Sequence, residues 1–415
     1  MKRSFIVVIC TVLLGMLAVG LVTGCGDATT DESTTTVVGE ATTTTTSAAT
    51  TTTAAGSNYP DMIYPKMVGN STGGPAFDVE KFKATPAAAK LAAWMKNGFM
   101  YKDEMDPAVL AYWDALGVKK ELHDADAGDK ELKWASYAPL EALAADNTAV
   151  YPVVFCFHGG YGSIFGAEGF GIADLGAKER FITVCAATPG SRTMGEITGL
   201  TAGEQVTRIL DQLEAGGYPI DRGRVYLTGQ SIGGMACAWA ALEIPDVVTA
   251  IAPHSSGAVL NTDPAGLGTV ALSLPESDFA KVVDYGVPMY LEVGDSDMGT
   301  LPYKTQGAVD GLNLWLQVNG CPTQLTLEEC LAAQGSTADP AVKLIGFVGD
   351  KTWTETLDGV VYHGVEFFRA DGVKMVEIVG VENCPHWLTA GYPELAWEFM
   401  SRFSRDADGK LVVAK

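Results

Sequence analysis

Apolar and polar positions follow two different rhythms from residue 129 onward. Short apolar runs have the length of buried strands, and the stretches between them carry apolar residues at helical spacing. The runs that predict strands are Glu131–Ala138, Tyr151–Phe157, Phe181–Ala186, Arg224–Thr228, Val247–Ala252, Pro288–Val293 and Val373–Val379. The stretches that predict helices are Ala202–Ala215, Met235–Leu242 and Pro393–Phe403. This alternation predicts an α/β domain over residues 129–407, with a mostly parallel sheet and helices on both faces.

Residues 59–128 have a different pattern, which is mostly helical and irregular. Leu91 and Trp94 lie at helical spacing within Ala87–Asn97, and Pro107 opens a second candidate helix that ends at Gly117. We find no pattern in this segment that indicates chemistry. We therefore expect a helical extension that packs on the main domain.

The N-terminus has the parts of an export signal. Lys2 and Arg3 precede an apolar run from Phe5 to Val22, and Cys25 follows directly after small residues. A transmembrane anchor is the alternative, because the run is just long enough to span a bilayer. The segment resembles the lipobox of bacterial lipoproteins, in which the cysteine is lipidated. The resemblance implies a signal peptide over residues 1–25, lipid on Cys25 and a protein body on the extracellular face of the membrane.

Residues 26–58 are rich in threonine. The stretch from Ala28 to Ser57 holds fourteen threonines and almost no large apolar side chain. Such a tract cannot bury enough surface to offset the loss of chain entropy. It is predicted to be a disordered linker between the membrane and the folded domain.

The charge balance excludes one class of partner. The chain has 28 Lys and Arg against 50 Asp and Glu, a formal net charge of -22. Nucleic-acid binding requires a basic surface that displaces the counterions of phosphate. We therefore expect no nucleic-acid partner.

The candidate chemistry concentrates at Ser231. The sequence Gly229-Gln230-Ser231-Ile232-Gly233 follows the predicted strand Arg224–Thr228 and precedes a predicted helix. A serine in this strand–turn–helix context is typical of a nucleophile, because the tight turn exposes its hydroxyl and a Cβ at either glycine would collide with neighbouring backbone. The alternative is a glycine-rich turn without chemistry.

An earlier loop supplies candidates for an oxyanion hole. His158, Gly159 and Gly160 follow the predicted strand Tyr151–Phe157. Hydrolases with this motif place a second backbone donor there, which predicts the N–H of Gly160 or Tyr161 together with that of Ile232. We expect His158 itself to anchor the loop.

A general base and an acid that orients it complete the candidate site. Among five histidines, His386 follows the last predicted strand, where the base belongs in this type of sheet, and His254 is the alternative. Asp295 and Asp297 both follow the strand that ends at Val293. Asp297 is favoured because it lies further into the loop, whereas Asp295 is placed to cap a turn.

Several motifs occur in the order found in one enzyme group. They are Tyr151-Pro152, His158-Gly159-Gly160, the Ser231 motif, Ala252-Pro253 with Ser256-Gly257, Gly294 to Asp297, Asn319-Gly320-Cys321 and His386-Trp387. From Lys130 onward the chain resembles the α/β-hydrolases of the polyhydroxybutyrate-depolymerase and feruloyl/acetylxylan-esterase group. The resemblance implies Asp297 as the acid, through G-x-x-D, and His386 as the base. The chain departs from the pattern at Pro385, where the group has glycine, and in having no His-Gly before Gly294.

The remaining cysteines are candidates for disulfides. Six of the eight lie beyond the export segment, and extracellular proteins commonly oxidise such residues. Cys321, Cys330 and Cys384 fall in predicted loops and are the expected bridge partners. Cys156, Cys185 and Cys237 fall on predicted buried elements, where inert thiols are expected.

Together these features predict an extracellular serine esterase that hydrolyses carboxylic esters through an acyl-enzyme. No motif indicates a cofactor or a metal site, so neither is expected. A peptidase of the same fold and a non-catalytic surface binding protein are the alternatives. The intact set Ser231, Asp297 and His386 favours the enzyme.

Overall fold

The computed structural model describes residues 75–97, 107–124, 132–160, 164, 166–188, 200–256, 276–297, 300–387 and 389–414. The predicted signal peptide with Cys25, the threonine-rich linker and Tyr161 lie outside these ranges. Within the ranges, no helix combines the length and apolar character needed to cross a bilayer.

A ten-stranded mixed sheet forms the centre of the described structure. In chain order its strands are β1 Val118–Asp124, β2 Lys133–Pro139, β3 Tyr151–Phe157, β4 Ile182–Ala186, β5 Ile220–Gln230, β6 Ala250–His254, β7 Met289–Gly294, β8 Lys351–Leu357, β9 Val360–Phe368 and β10 Lys374–Val381. Their order across the sheet is β1-β2-β4-β3-β5-β6-β7-β10-β9-β8. The six strands from β4 to β10 in this order run parallel, whereas β1 with β2 and β8 with β9 add antiparallel pairs at the two sides. β11 Phe403–Arg405 and β12 Leu411–Val413 form a separate small sheet.

Helices cover both faces of the large sheet. They are α1 Val79–Lys83, α2 Pro86–Asn97, α3 Pro107–Ala115, α4 Gly166–Gly169, α5 Ile172–Glu179, α6 Ala202–Ala215, α7 Ile232–Glu243, α8 Glu276–Tyr285, α9 Gln306–Val318, α10 Leu327–Ser336, α11 Pro340–Ile345 and α12 Tyr392–Met400. Every residue of β4, β6 and β7 is buried, which requires packing on both sides because successive side chains of a strand point to opposite faces. The predicted α/β fold class, a mostly parallel sheet with helices on both faces, is thereby confirmed.

Local sequence explains where the elements begin. α6 starts at Ala202 because Thr201 and Glu204 form a capping box, in which each side chain accepts from the other residue's backbone N–H. α11 starts with Pro340 after the capping side chain of Asp339. The predicted bounds of α6 and of β3 agree with the structure.

The segment before residue 129 contributes more than helices. The two predicted helices are present as α2 and α3. However, β1 follows α3 and pairs with β2, so the large sheet begins at Val118, before the expected start of the hydrolase domain. This strand was not predicted because its sequence, VKKELHD, is mostly polar, as suits a strand at the side of a sheet.

The segment around His363 belongs to a hairpin at the far side of the sheet. The structure has one strand there, β9, and the hairpin is formed by β8 and β9 around Asp358 and Gly359. Both residues of this turn have positive φ, +50° and +78°, as a two-residue hairpin turn requires. The pair extends the sheet beyond β10.

Candidate functional site

Ser231 occupies the sharp turn between β5 and α7. Its φ is 56° and its ψ is −119°, a conformation that residues with a side chain rarely adopt. Its backbone N–H donates to the carbonyl of His254 on the neighbouring strand, at 3.1 Å. A strained, half-buried serine between a strand and a helix is the geometry that the motif predicted.

The two flanking glycines make this turn possible. A Cβ at Gly229 would lie 2.5 Å from the backbone of Gly233. A Cβ at Gly233 would lie 2.3 Å from the carbonyl oxygen of Phe157 at the end of β3. Both positions therefore exclude any larger residue, as the sequence analysis expected.

His386 and Asp297 form a hydrogen-bonded pair. Nδ1 of His386 lies 2.7 Å from Oδ1 of Asp297, and the Asp297 side chain is only 2% exposed. Burial alone would lower the pKa of His386, but the charge of Asp297 and this hydrogen bond outweigh it, so the pKa of His386 is raised above 6.5. The carboxylate accepts from Nδ1–H and leaves Nε2 as the basic nitrogen.

The histidine lies beside the serine turn. Nε2 of Gln230, the residue before Ser231, donates to the carbonyl of His386 at 3.3 Å. β5, β6, β7 and β10 are adjacent and parallel, so the loops at their carboxyl ends meet at one edge of the sheet. Ser231, Asp297 and His386 all lie at this edge, where ligands bind in open α/β sheets.

The loop that carries His386 is fastened to several strands. Ser255 donates through Oγ to the carbonyl of Trp387 at 2.7 Å, and the N–H of Ser296 donates to the carbonyl of Cys384 at 3.0 Å. Thr389 donates through Oγ1 to Oε1 of the buried Glu292 at 3.0 Å. Thr389 in turn accepts from the hydroxyl of Tyr362 on β9 at 2.6 Å. These contacts fix the position of the imidazole.

Asp295, the alternative acid, has a different role in the structure. Its Oδ1 accepts from the N–H of Cys384 at 3.3 Å and from Oγ of Ser296 at 2.8 Å. Burial raises the pKa of Asp295 despite these hydrogen bonds. The Asp295 carboxyl therefore links its own loop to the backbone of the loop that carries Cys384 and His386. The Asp297 carboxyl instead contacts the His386 ring.

His254, the alternative base, is deeply buried. It is 1% exposed, and neither ring nitrogen has a hydrogen-bond partner among the described residues. Burial, with a smaller contribution from the charge of His386, lowers the pKa of His254 to about 3. It stays neutral, and no carboxylate in the described part of the chain accepts a hydrogen bond from its ring.

Two of the three predicted oxyanion donors are described. Ile232 begins α7, so its N–H is one of those a helix N-terminus leaves without a helical partner. Gly160 lies in the turn after β3, and a Cβ there would meet nothing within 4 Å. His158 is fully buried and anchors the loop: its carbonyl accepts from Oγ1 of Thr188 at 2.7 Å, and its Nε2 accepts from the N–H of Thr188 at 3.3 Å.

The expected disulfides are not formed. All six cysteines of the described ranges remain as buried thiols, including Cys321, Cys330 and Cys384. Cys384 instead points its Sγ towards the carbonyls of Pro385 and Trp387, at 3.5 and 3.7 Å. The base loop is thus braced by hydrogen bonds and not by a bridge. No group of three potential metal ligands occurs within the described ranges.

Sequence reasoning missed the side chains that support the site. Gln230 lies inside the serine motif, so its position could have indicated that it contacts the loop of the general base. Glu292, Ser255 and Thr389 gave no local signal, because each acts on a residue far away in the chain.

Comparisons with known proteins find distant similarity in structure alone. No family model and no curated protein matches the chain. A ferulic acid esterase is 15% identical, with a TM-score of 0.34, over 48% of this chain and 84% of its own. An acetyl xylan esterase from Aspergillus awamori is 14% identical, with a TM-score of 0.40, over 68% of this chain and 99% of its own. An acylaminoacyl peptidase from Pyrococcus horikoshii is 16% identical, with a TM-score of 0.33, over 52% of this chain and 37% of its own.

These neighbours are esterases and peptidases of the α/β-hydrolase type. Their TM-scores all lie below 0.5.

Proposed function

We propose that the chain is a serine hydrolase that cleaves carboxylic esters through an acyl-enzyme. The observation that carries the proposal is the pairing of His386 with a buried Asp297 beside the strained turn of Ser231. A base oriented by a carboxylate and placed beside a serine turn is the arrangement that activates a serine.

The reaction follows from these positions. Oγ of Ser231 forms a bond to the ester carbonyl carbon while Nε2 of His386 takes the hydroxyl proton. Asp297 stabilises the imidazolium, and the N–H groups of Ile232 and Gly160 donate to the oxyanion. The C–O bond to the alcohol then breaks, and His386 returns the proton to the leaving oxygen. Water, deprotonated by the same histidine, releases the acid and restores Ser231.

Tyr161 remains a second candidate for the oxyanion donor on the β3 loop. The N–H of either Tyr161 or Gly160 would pair with that of Ile232.

We propose three substrate classes from the order of the motifs along the chain. They are the esters of polyhydroxyacids, of ferulic acid and of acetylated sugars.

The test uses a fluorophosphonate probe and a panel of esters. The soluble body should be labelled on Ser231 and should hydrolyse at least one ester, whereas Ser231→Ala should do neither. Cys330→Ala is a matched control, because it removes a buried thiol on α10, away from the serine turn and the His386 loop. A folded protein that is neither labelled nor active would refute the enzyme, and hydrolysis of peptides without esters would make it a peptidase.

We also propose that Cys25 is lipidated and that the body lies on the extracellular face of a bacterial membrane. The support is the basic start, apolar run and small residues before Cys25. The full chain should enter the detergent phase, and Cys25→Ser should release or misprocess it. Equal membrane retention of the variant would indicate an uncleaved helix instead.

A further inference from the structure

A buried ion pair joins the N-terminal segment to the helix after the β3 loop. Lys120 on β1 contacts Oε1 of Glu168 on α4, and their side chains are only 3% and 1% exposed. The same oxygen accepts from the hydroxyl of Tyr137 at 2.7 Å and from Nε1 of Trp113 at 3.2 Å. Three elements of residues 107–139 therefore converge on one carboxylate.

Such a pair is costly to bury. Removing two charges from water is unfavourable, and two apolar residues would fill the same space without that cost. A buried ion pair is best explained where it fixes the register of one element against another. Glu168 is thus placed to define where α4 sits.

Further contacts hold the same region. The hydroxyl of Tyr112 on α3 donates to Asp174 on α5. The Trp94 ring on α2 lies so close to Gly171, between α4 and α5, that a Cβ there would be 2.5 Å from it. α2, α3 and β1 together therefore position α4 and α5.

α4 in turn contacts both loops of the candidate site. A Cβ at Gly166, its first residue, would lie 3.4 Å from Cβ of His158, two residues before Gly160. The ring of Phe170, directly after α4, packs edge-on against Trp387 at 5.7 Å and against His254 at 5.4 Å. Trp387 follows His386, and the carbonyl of His254 holds the N–H of Ser231.

We propose that Lys120 and Glu168 are positioning residues for the hydrolase site, acting through α4 on the backbone at Gly160 and on Trp387 beside His386. Neither touches the substrate. This inference rests on the proposed function for its kinetic part. It assigns α2, α3 and β1 a role in turnover beyond packing on the domain.

The kinetic test separates positioning from stability. The double variant Lys120→Met/Glu168→Gln removes both charges, keeps the side-chain sizes and lets Gln accept from Tyr137 and Trp113, so it should fold. We expect kcat to fall by about 10- to 100-fold, less than the 10²–10³ of deleting an oxyanion donor, while KM changes little. Affinity for a boronic acid, whose adduct has the tetrahedral geometry, should fall in parallel with kcat.

Two readouts exclude a merely structural effect. The acid limb of the pH profile should not move, because the Asp297–His386 pair is untouched. Lys281→Met is the matched control, since Lys281 forms an exposed ion pair with Asp246 at 3.0 Å, and its kcat should match the wild type. Wild-type kcat and boronic-acid affinity in the folded double variant would overturn the proposal.

Hydrogen exchange tests the same inference without turnover. Amides of residues 154–160 and 384–387 should exchange faster in the double variant than in the wild type. In Lys281→Met their exchange rates should equal those of the wild type. If the wild type has no activity but these amides respond, the proposed function fails and the coupling through α4 stands. If the amides do not respond, the positioning role is refuted.

Discussion

The substitution Asp297→Asn examines the pair on which the proposed chemistry depends. The change replaces a carboxylate that is 2% exposed with a neutral amide of nearly the same shape. At the 2.7 Å between Oδ1 and Nδ1 of His386, opposite unit charges attract by about 6 kcal/mol at an effective dielectric constant of about 20. Each factor of ten in rate corresponds to about 1.4 kcal/mol, so losing most of this stabilisation lowers kcat by on the order of 10⁴. The same substitution in the Ser-His-Asp template has an effect of about that size, because the imidazole adopts the wrong tautomer.

The assay compares kcat for an activated ester in the wild type, Asp297→Asn and Asp295→Asn. Asp295→Asn is the matched control, because its side-chain oxygen can still accept from Cys384 and Ser296. We expect Asp297→Asn to lose most of its rate with an unchanged melting temperature, and Asp295→Asn to lose at most about 1 kcal/mol of stability. A rate that collapses in Asp295→Asn and survives in Asp297→Asn would move the acid two residues upstream.

Three further predictions follow from the site and its supports. The acid limb of kcat/KM should have its midpoint above pH 6.5, since the pKa of His386 is raised and the base must be neutral; a midpoint at or below the ordinary value of histidine would contradict the pairing. Gly233→Ala should lower stability and abolish labelling by fluorophosphonate, because its Cβ would meet the carbonyl of Phe157 at 2.3 Å; a stable, labelled variant would show that the turn can relax. Burial raises the pKa of Glu292 from 4.5 to about 7. Between these two pH values the native state therefore binds one more proton than the unfolded state, so the stability of the native state declines as the pH rises. Glu292→Gln should therefore gain up to about 3 kcal/mol relative to the wild type between pH 4.5 and pH 8, measured by urea unfolding, and a pH-independent difference would refute this assignment.

The sequence was most informative where local rules decide the structure. Tyr151–Phe157 is an uninterrupted apolar run, and Thr201 with Glu204 marks a helix start, so β3 and α6 could be bounded from the pattern. The turn at Ser231 could be predicted because one glycine stands two residues before the serine and another two residues after it, a spacing typical of a sharp strand-to-helix turn. The preference for Asp297 over Asp295 used the same kind of reasoning, and the two side chains face different partners in the structure.

The pattern failed where the deciding contact is distant. β1 has polar side chains, and its partner strand determines its conformation. Cys321, Cys330 and Cys384 were expected to pair because they fall in predicted loops, but all three are buried free thiols and Cys330 lies on the helix α10. Glu168 gave no signal, because its three partners come from elements that precede it in the chain by different distances.

The hairpin of β8 and β9 has a consequence for how copies of this chain behave in solution. Without it, β10 would present its unpaired amides at the border of the sheet, next to the loop that carries His386. With it, the outermost strand is β8, whose exposed residues include Lys351, Thr354 and Glu355. Charged and polar side chains on a border strand oppose edge-to-edge pairing with a strand of another chain. A chain shortened by this hairpin should therefore self-associate through β10, beside the loop that carries His386.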